Sequence, residues 1–81
     1  MTAQAKKYLK ETTATANATA TACTVTSKKT GTTLLSIKFD AIPMAIEIAV
    51  AVSRMISETN IPRELEGAII RQVKTCVTHT L

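Results

Sequence analysis

Residues 13–22, Thr-Ala-Thr-Ala-Asn-Ala-Thr-Ala-Thr-Ala, decide the fold of this chain. Polar and small apolar residues alternate there without a break. Such a period of two indicates a β-strand, because successive side chains on a strand point to opposite faces. The alternation continues to Thr26, so it predicts one strand over residues 13–26. Strands usually have about five or six residues, and no other segment here is long enough to pair with all of this one. We therefore expect its first half to pair with another chain.

The apolar face of this long strand changes parity near its middle. Alanines occupy even positions up to Ala22, whereas the larger apolar residues Cys23 and Val25 occupy odd positions. A β-bulge at Cys23 would bring both sets onto one face. The sequence therefore predicts a bulge that separates an inner half, for a hairpin, from an Ala/Thr half, for a neighbouring copy.

The segments on either side complete a helix and a hairpin. Residues 3–11 consist largely of good helix formers and predict a short helix. Residues 27–31, Ser-Lys-Lys-Thr-Gly, predict a turn in which Gly31 adopts a positive φ. They lack the glycine spacing of a phosphate-binding loop. Residues 32–39 predict the second strand of the hairpin.

Two helices follow. Asp40 is the expected N-cap of the first, with Pro43 in its first turn and its end near Glu58. This helix is apolar nearly all round, which indicates burial on more than one side and favours a subunit interface. The last helix is expected over residues 62–78, with Ile70 off its apolar face.

These elements predict a single small α+β domain over residues 1–81, in the order α-β-β-α-α, with the sheet extended across a homo-oligomer. One Tyr, one Phe and no Trp leave the core to aliphatic side chains, so a chain this small gains from association. The residues expected at the oligomer interface are Thr13, Ala14, Thr15, Ala16, Ala18, Val50 and Ile70.

The net charge of +4 lies entirely in the first 29 residues, which hold five lysines and one acidic residue. A focused basic region attracts nucleic acid or an acidic protein surface. The alternative is that the lysines only keep a hydrophobic small protein in solution. The residues predicted to bind an anionic partner are Lys6, Lys7, Lys10, Lys28 and Lys29.

Residues that carry enzyme chemistry are few and scattered. His79 lies near the end of the chain without a second catalytic group, and Asp40 is explained as an N-cap. Cys23 and Cys76 are too few for a zinc site and suit buried thiols. We therefore predict no catalytic residue, no metal and no cofactor.

Cysteine content and hydropathy also bear on localisation. Two cysteines and no apolar signal segment favour a reducing cytoplasm. The longest apolar run, residues 41–52, is too short to span a bilayer, so no membrane partner is expected.

Residues 35–39, Leu-Ser-Ile-Lys-Phe, followed by two helices, resemble ribbon-helix-helix DNA-binding proteins. The second of these helices opens with residues 60–71, Asn-Ile-Pro-Arg-Glu-Leu-Glu-Gly-Ala-Ile-Ile-Arg. In that family one strand per chain pairs across a dimer and reads the major groove. The resemblance implies that Leu34, Ser36 and Lys38 face outward. It differs in a longer first helix and in an upstream strand at the edge of the ribbon.

The first functional hypothesis is a non-enzymatic binding protein that inhibits or modulates a macromolecular partner by occupying it. Phages and other mobile elements encode small proteins of this kind. The alternatives are a DNA- or nucleotide-binding regulator and a self-assembling structural subunit.

Overall fold

Helices pack on one face of a three-stranded antiparallel sheet in the computed structural model of this chain, which describes residues 2–80. The sheet order is β1-β2-β3. The α+β class is confirmed, but three strands replace the expected two, giving α-β-β-β-α-α. The elements are α1 (Ala3–Glu11), β1 (Thr12–Ala16), β2 (Ala22–Ser27), β3 (Thr33–Lys38), α2 (Ala45–Glu58), a 3-10 turn (Arg63–Leu65) and α3 (Glu66–Thr80).

The Thr/Ala stretch folds back on itself, so the prediction of one strand over residues 13–26 is wrong. Residues 17–21 form a turn between β1 and β2. All five residues of β1 pair with β2, from Thr12 opposite Ser27 to Ala16 opposite Cys23. The first half of the predicted strand is therefore not left without a partner in its own chain. Pairing of that half with another copy therefore loses its basis.

Asn17 organises this turn. Its Oδ1 accepts the backbone N–H groups of Thr21 at 2.9 Å and Ala22 at 3.2 Å, and its own N–H donates to the Ala22 carbonyl at 3.0 Å. Ala20 adopts a left-handed φ of 58°, a conformation that costs an L-residue about 1–2 kcal/mol. The side chain of Ala20 is fully buried, which gives a physical reason for alanine rather than glycine there.

The parity change in the sequence comes from the chain reversal. Ala14 lies opposite Val25 and Ala16 lies opposite Cys23, so even positions of β1 and odd positions of β2 share one face. A bulge at Cys23 is therefore not needed, and that prediction is wrong.

The irregularity in the sheet lies elsewhere, between β2 and β3. Val25 pairs with Leu35 and Thr26 with Thr33, which leaves Leu34 as the extra residue. The turn that joins these strands agrees with expectation, since Gly31 has a φ of 73°.

The start of α2 differs from the prediction. The helix begins at Ala45 after an extended Met44, whose N–H donates to Glu47 Oε1 at 3.2 Å, so Asp40 is not its N-cap. Pro43 precedes the helix instead of lying in its first turn, because the backbone of Met44 after it is extended, with ψ 163°. The expected end at Glu58 is confirmed.

The core lies between the sheet and the helices and is aliphatic, as the composition predicts. Each element contributes one buried stripe at its own period, two residues for strands and three to four for helices. The buried side chains of the sheet, α2 and α3 are Cys23, Val25, Leu35, Ile37, Ile48, Val52, Ile56, Ala68, Ile69, Val73 and Val77.

We predict that Asn17→Ala lowers the free energy of unfolding by about 1–2 kcal/mol, because two backbone N–H groups lose their acceptor. Urea denaturation followed by circular dichroism measures the change. Asn60→Ala is the matched control, since Asn60 is exposed and has no side-chain hydrogen bond within residues 2–80. An equal loss in both variants would contradict the role of Asn17.

Candidate functional site

β1 is an edge strand whose outer backbone groups are not used by the sheet. The bond from Asn17 N–H to the Ala22 carbonyl shows that odd-numbered residues of this segment bond to β2. Residues alternate in an antiparallel ladder, so Ala14 and Ala16 direct their N–H and C=O groups away from β2. The Cys76 thiol of α3 donates to the Ala14 carbonyl at 3.2 Å, which agrees with this orientation.

A groove of about 640 Å³ runs between this edge and α3. Arg71 and His79 are exposed on its helical wall. The only ion pair within residues 2–80 joins Arg63 to Glu66, so the Arg71 guanidinium has no carboxylate partner there. We call this groove the β1 groove; the residues that define it are Ala14, Ala16, Arg71, Gln72, Cys76 and His79.

A series of hydrogen bonds around the buried Thr12 links α3 to the start of β1. The Thr12 hydroxyl donates to the Tyr8 carbonyl at 2.8 Å, so its oxygen is left to accept from Gln72 Nε2 at 3.1 Å. Thr12 is only 4 % exposed, and Gln72 Oε1 is buried without a partner in the described chain. Sequence reasoning missed Thr12, although it shares the even parity of the alanines that face the core.

The two cysteines lie side by side, on β2 and α3. Cys23 is 2 % exposed and fits the expectation of a buried thiol, whereas Cys76 is half-buried. Burial, with the neighbouring Cys76 thiol adding to it, raises the pKa of Cys23 to about 12. Cys23 is therefore protonated at neutral pH and is a poor nucleophile. Within residues 2–80, no three His, Cys, Asp or Glu side chains form a group able to hold a metal.

The structure places the turn that carries Lys28 and Lys29 beside the end of α1 that carries Lys10. Lys28 donates its backbone N–H to the Glu11 carbonyl at 2.8 Å, which places the β2–β3 turn beside the end of α1. All five side chains are exposed. We call this surface the basic end; its residues are Lys6, Lys7, Lys10, Lys28 and Lys29.

The residues expected at an oligomer interface are dispersed. Residues 13–16 all border the β1 groove, and the side chains of Thr13 and Thr15 are exposed whereas Ala14 and Ala16 are half-buried. Ala18 is exposed in the Asn17 turn, Val50 is exposed on α2, and Ile70 is half-buried on α3. No single surface contains them all.

A second surface, on α2 and the segment just before it, carries large apolar side chains in solvent. Ile46 is 70 % exposed and Met44 68 %, and Ile42 and Val50 are each 53 % exposed. Ile46 and Val50 are four residues apart and lie on one side of the helix. We call these four residues the α2 patch. The apolar character of this helix was visible in the sequence, but its exposed side was not.

The segment that resembles a ribbon-helix-helix protein forms β3, α2 and α3. Leu34, Ser36 and Lys38 are exposed on the open face of the sheet, as the resemblance implies. β3 pairs with β2 of its own chain and leaves its other edge open.

Comparison with protein-family models, curated proteins and solved structures gave no match to this chain. Among residues 2–80, none of the helices combines the length and apolar character needed to cross a membrane.

We predict that iodoacetamide at pH 8 leaves Cys23 of the native protein unmodified over a period that labels both cysteines of the unfolded chain. With a pKa of about 12, roughly one Cys23 in ten thousand is a thiolate at pH 8. Labelling accelerates as the pH rises towards that pKa. Peptide mapping by mass spectrometry measures both sites. Equal native and unfolded rates at Cys23 would contradict the prediction.

Proposed function

We propose that this chain is a non-enzymatic binding protein that receives an extended, acidic segment of a partner protein in the β1 groove. The observation that carries the proposal is the open edge of β1, where the Ala14 N–H and both backbone groups of Ala16 point away from β2 into a groove beside α3, while the Ala14 carbonyl accepts the Cys76 thiol. By occupying such a segment, the protein would inhibit or modulate its partner.

Strand addition supplies the binding chemistry. A peptide that pairs with an open sheet edge gains main-chain hydrogen bonds, and its side chains on one face enter the adjoining groove. The volume of about 640 Å³ is within the usual range for ligand sites, which extends from about 300 to 1,000 Å³. The half-buried methyl groups of Ala14 and Ala16 leave room for the incoming side chains.

Charge favours an acidic segment. The exposed Arg71 guanidinium stands on the wall of the groove and offers a bidentate site for a carboxylate. The basic end lies at the start of β1, where the chain carries its whole excess of positive charge. Long-range attraction of this kind raises the rate of association with an acidic partner.

The chemistry of the groove supports binding rather than catalysis. Cys76 and His79 are three residues apart on α3, but the Cys76 thiol donates to the Ala14 carbonyl. Its neighbour Cys23 is held as a neutral thiol. A nucleophile needs an adjacent base, and that base needs an orienting group. The described residues of the groove do not offer such a set.

We predict that Ala16→Pro weakens peptide binding at least about tenfold, because proline removes an N–H that faces the β1 groove while edge strands tolerate it. The probe is a displayed library of random peptides selected on the full chain, with affinities then measured by calorimetry. Selected peptides should be rich in Asp and Glu. They should also bind the Arg71→Gln variant more weakly than the wild type.

Ser36→Pro is the matched control for this experiment. It places a proline on the opposite edge of the same sheet and should leave peptide affinity unchanged. Circular dichroism shows whether each variant keeps its fold. Unchanged affinity of folded Ala16→Pro, or selected peptides without acidic residues, would contradict the proposal.

A DNA- or nucleotide-binding regulator is the second candidate. It rests on the basic end, where the turn that carries Lys28 and Lys29 adjoins the lysine-bearing helix α1 and all five lysines are exposed. Binding of this kind depends on phosphate neutralisation and falls steeply with salt. The third hypothesis, a structural subunit that polymerises through strand edges, stays a prediction: the half-strand without a partner is absent, but β1 and β3 are both edge strands.

We predict that any duplex DNA binding seen in gel shifts at low salt is reduced by the double variant Lys28→Gln/Lys29→Gln and abolished by raising the salt. Lys74→Gln, on α3 and outside the basic end, is the control for loss of one exposed positive charge. Failure of the wild-type chain to shift DNA at low salt would eliminate this candidate and leave the peptide-binding proposal untouched.

A further inference from the structure

The α2 patch contains four of the five large hydrophobic side chains that are exposed in the described chain. Its four side chains are each more than half exposed, while Ile48, Val52 and Ile56 on the other side of α2 are buried in the core. The helix therefore has two apolar sides and only one of them is covered. Large apolar side chains that are this exposed and this close in sequence are typical of a binding interface.

An open strand edge adjoins the α2 patch. Phe39 donates its N–H to the Thr21 carbonyl at 2.8 Å, so odd-numbered residues of β3 bond to β2, and Ser36 and Lys38 direct their backbone groups outward. A depression of about 310 Å³ joins the end of β3 to Ile46 and Val50. Edge and patch thus form one continuous surface.

The charges around this depression are balanced. Lys38 and Arg54 face it together with Asp40 and Glu47, and none of them forms an ion pair within residues 2–80. This surface has no net formal charge, although the chain carries +4. Two basic and two acidic groups around one depression can complement a rotated copy of themselves, as a two-fold interface requires.

We propose that the α2 patch and the open edge of β3 bind a second copy of this chain across a two-fold axis. The α2 helices pack against each other through Ile46 and Val50, and the two β3 edges pair in antiparallel fashion into a six-stranded sheet. Lys38 and Arg54 of each copy face Asp40 and Glu47 of the other. This dimer is independent of peptide binding at β1.

A standard interface buries about 800 Å² per partner, which is roughly 15 % of the 5217 Å² accessible surface of this chain. Ile46 and Val50 lie beside four charged residues at the depression, which matches the apolar centre and charged rim of stable complexes.

Light scattering after size exclusion tests the dimer on the full chain over a range of micromolar concentrations. The wild type should give about 17 kDa, twice the chain mass of 8.7 kDa. The double variant Ile46→Glu/Val50→Glu should raise the dimer dissociation constant at least about a hundredfold. Its fold should persist, because both side chains are exposed in the single chain.

Two further variants distinguish the parts of the interface. Ser57→Glu is the matched control: it adds charge to the same side of α2, about 10 Å beyond Val50, and should leave the dimer intact. Ser36→Pro should dissociate the dimer, whereas Ala16→Pro should not. A dimer that survives Ser36→Pro would overturn the pairing of the β3 edges.

Hydrogen exchange on the wild type keeps the test independent of how the variants fold. The amides of Ser36 and Lys38 should become more protected as the protein concentration rises. A monomer at every concentration, protection that does not change with concentration, or a dimer unaffected by folded Ile46→Glu/Val50→Glu would each overturn the proposal. So would a different protein occupying the patch of a monomeric chain.

Discussion

The amide oxygen of Asn17 accepts two backbone N–H groups and so holds the turn that reverses the chain between β1 and β2. The rest of the structure depends on this reversal. It turns a uniform Thr/Ala stretch into two paired strands and places Ala14 and Ala16 on the same face as Cys23 and Val25. Only in that arrangement do α3 and β1 enclose a groove. If the stretch ran straight, β1 would lie beyond the reach of Cys76 and the sheet would have a different edge.

Much of the fold was predictable, because a helix or turn is reliably predicted where the hydrophobic periodicity and the residues at the ends of the element indicate the same structure. The α1 boundaries, the Gly31 turn and the end of α2 all follow from such patterns. The alternation of residues 13–26 was ambiguous, because the turn residues 17–21 continue the polar and apolar alternation of β1 up to Ala22. The parity change at Cys23 was the available signal, and it indicates a reversal as readily as a bulge. Asn17, the one asparagine within the alternation, marks the place where side-chain bonds compete with extended backbone.

The candidate site was less predictable for a different reason. Lysine positions are visible in the sequence, but the approach of the β2–β3 turn to the end of α1 depends on the hydrogen bond from the Lys28 backbone N–H to the Glu11 carbonyl. Gln72 and Arg71 become part of a site only when α3 lies along β1, and residue type gives no sign of that contact. The contact between the Cys23 and Cys76 thiols likewise arises only from tertiary packing.

A three-stranded sheet has two edges, and a protein this small has only three helices with which to cover them. On the β1 side, the Cys76 thiol bonds to one outward carbonyl and polar residues of α3 surround the remainder. On the β3 side, the neighbouring surface is apolar and its charges are balanced. Open edges pair with other chains unless something opposes it. The charged groove at β1 favours a partner of opposite charge, whereas the apolar surface at β3, with its balanced charges, favours a second copy of the chain. The two edges therefore suit different occupants. One fold can therefore be dimeric at β3 and still present β1 to a partner.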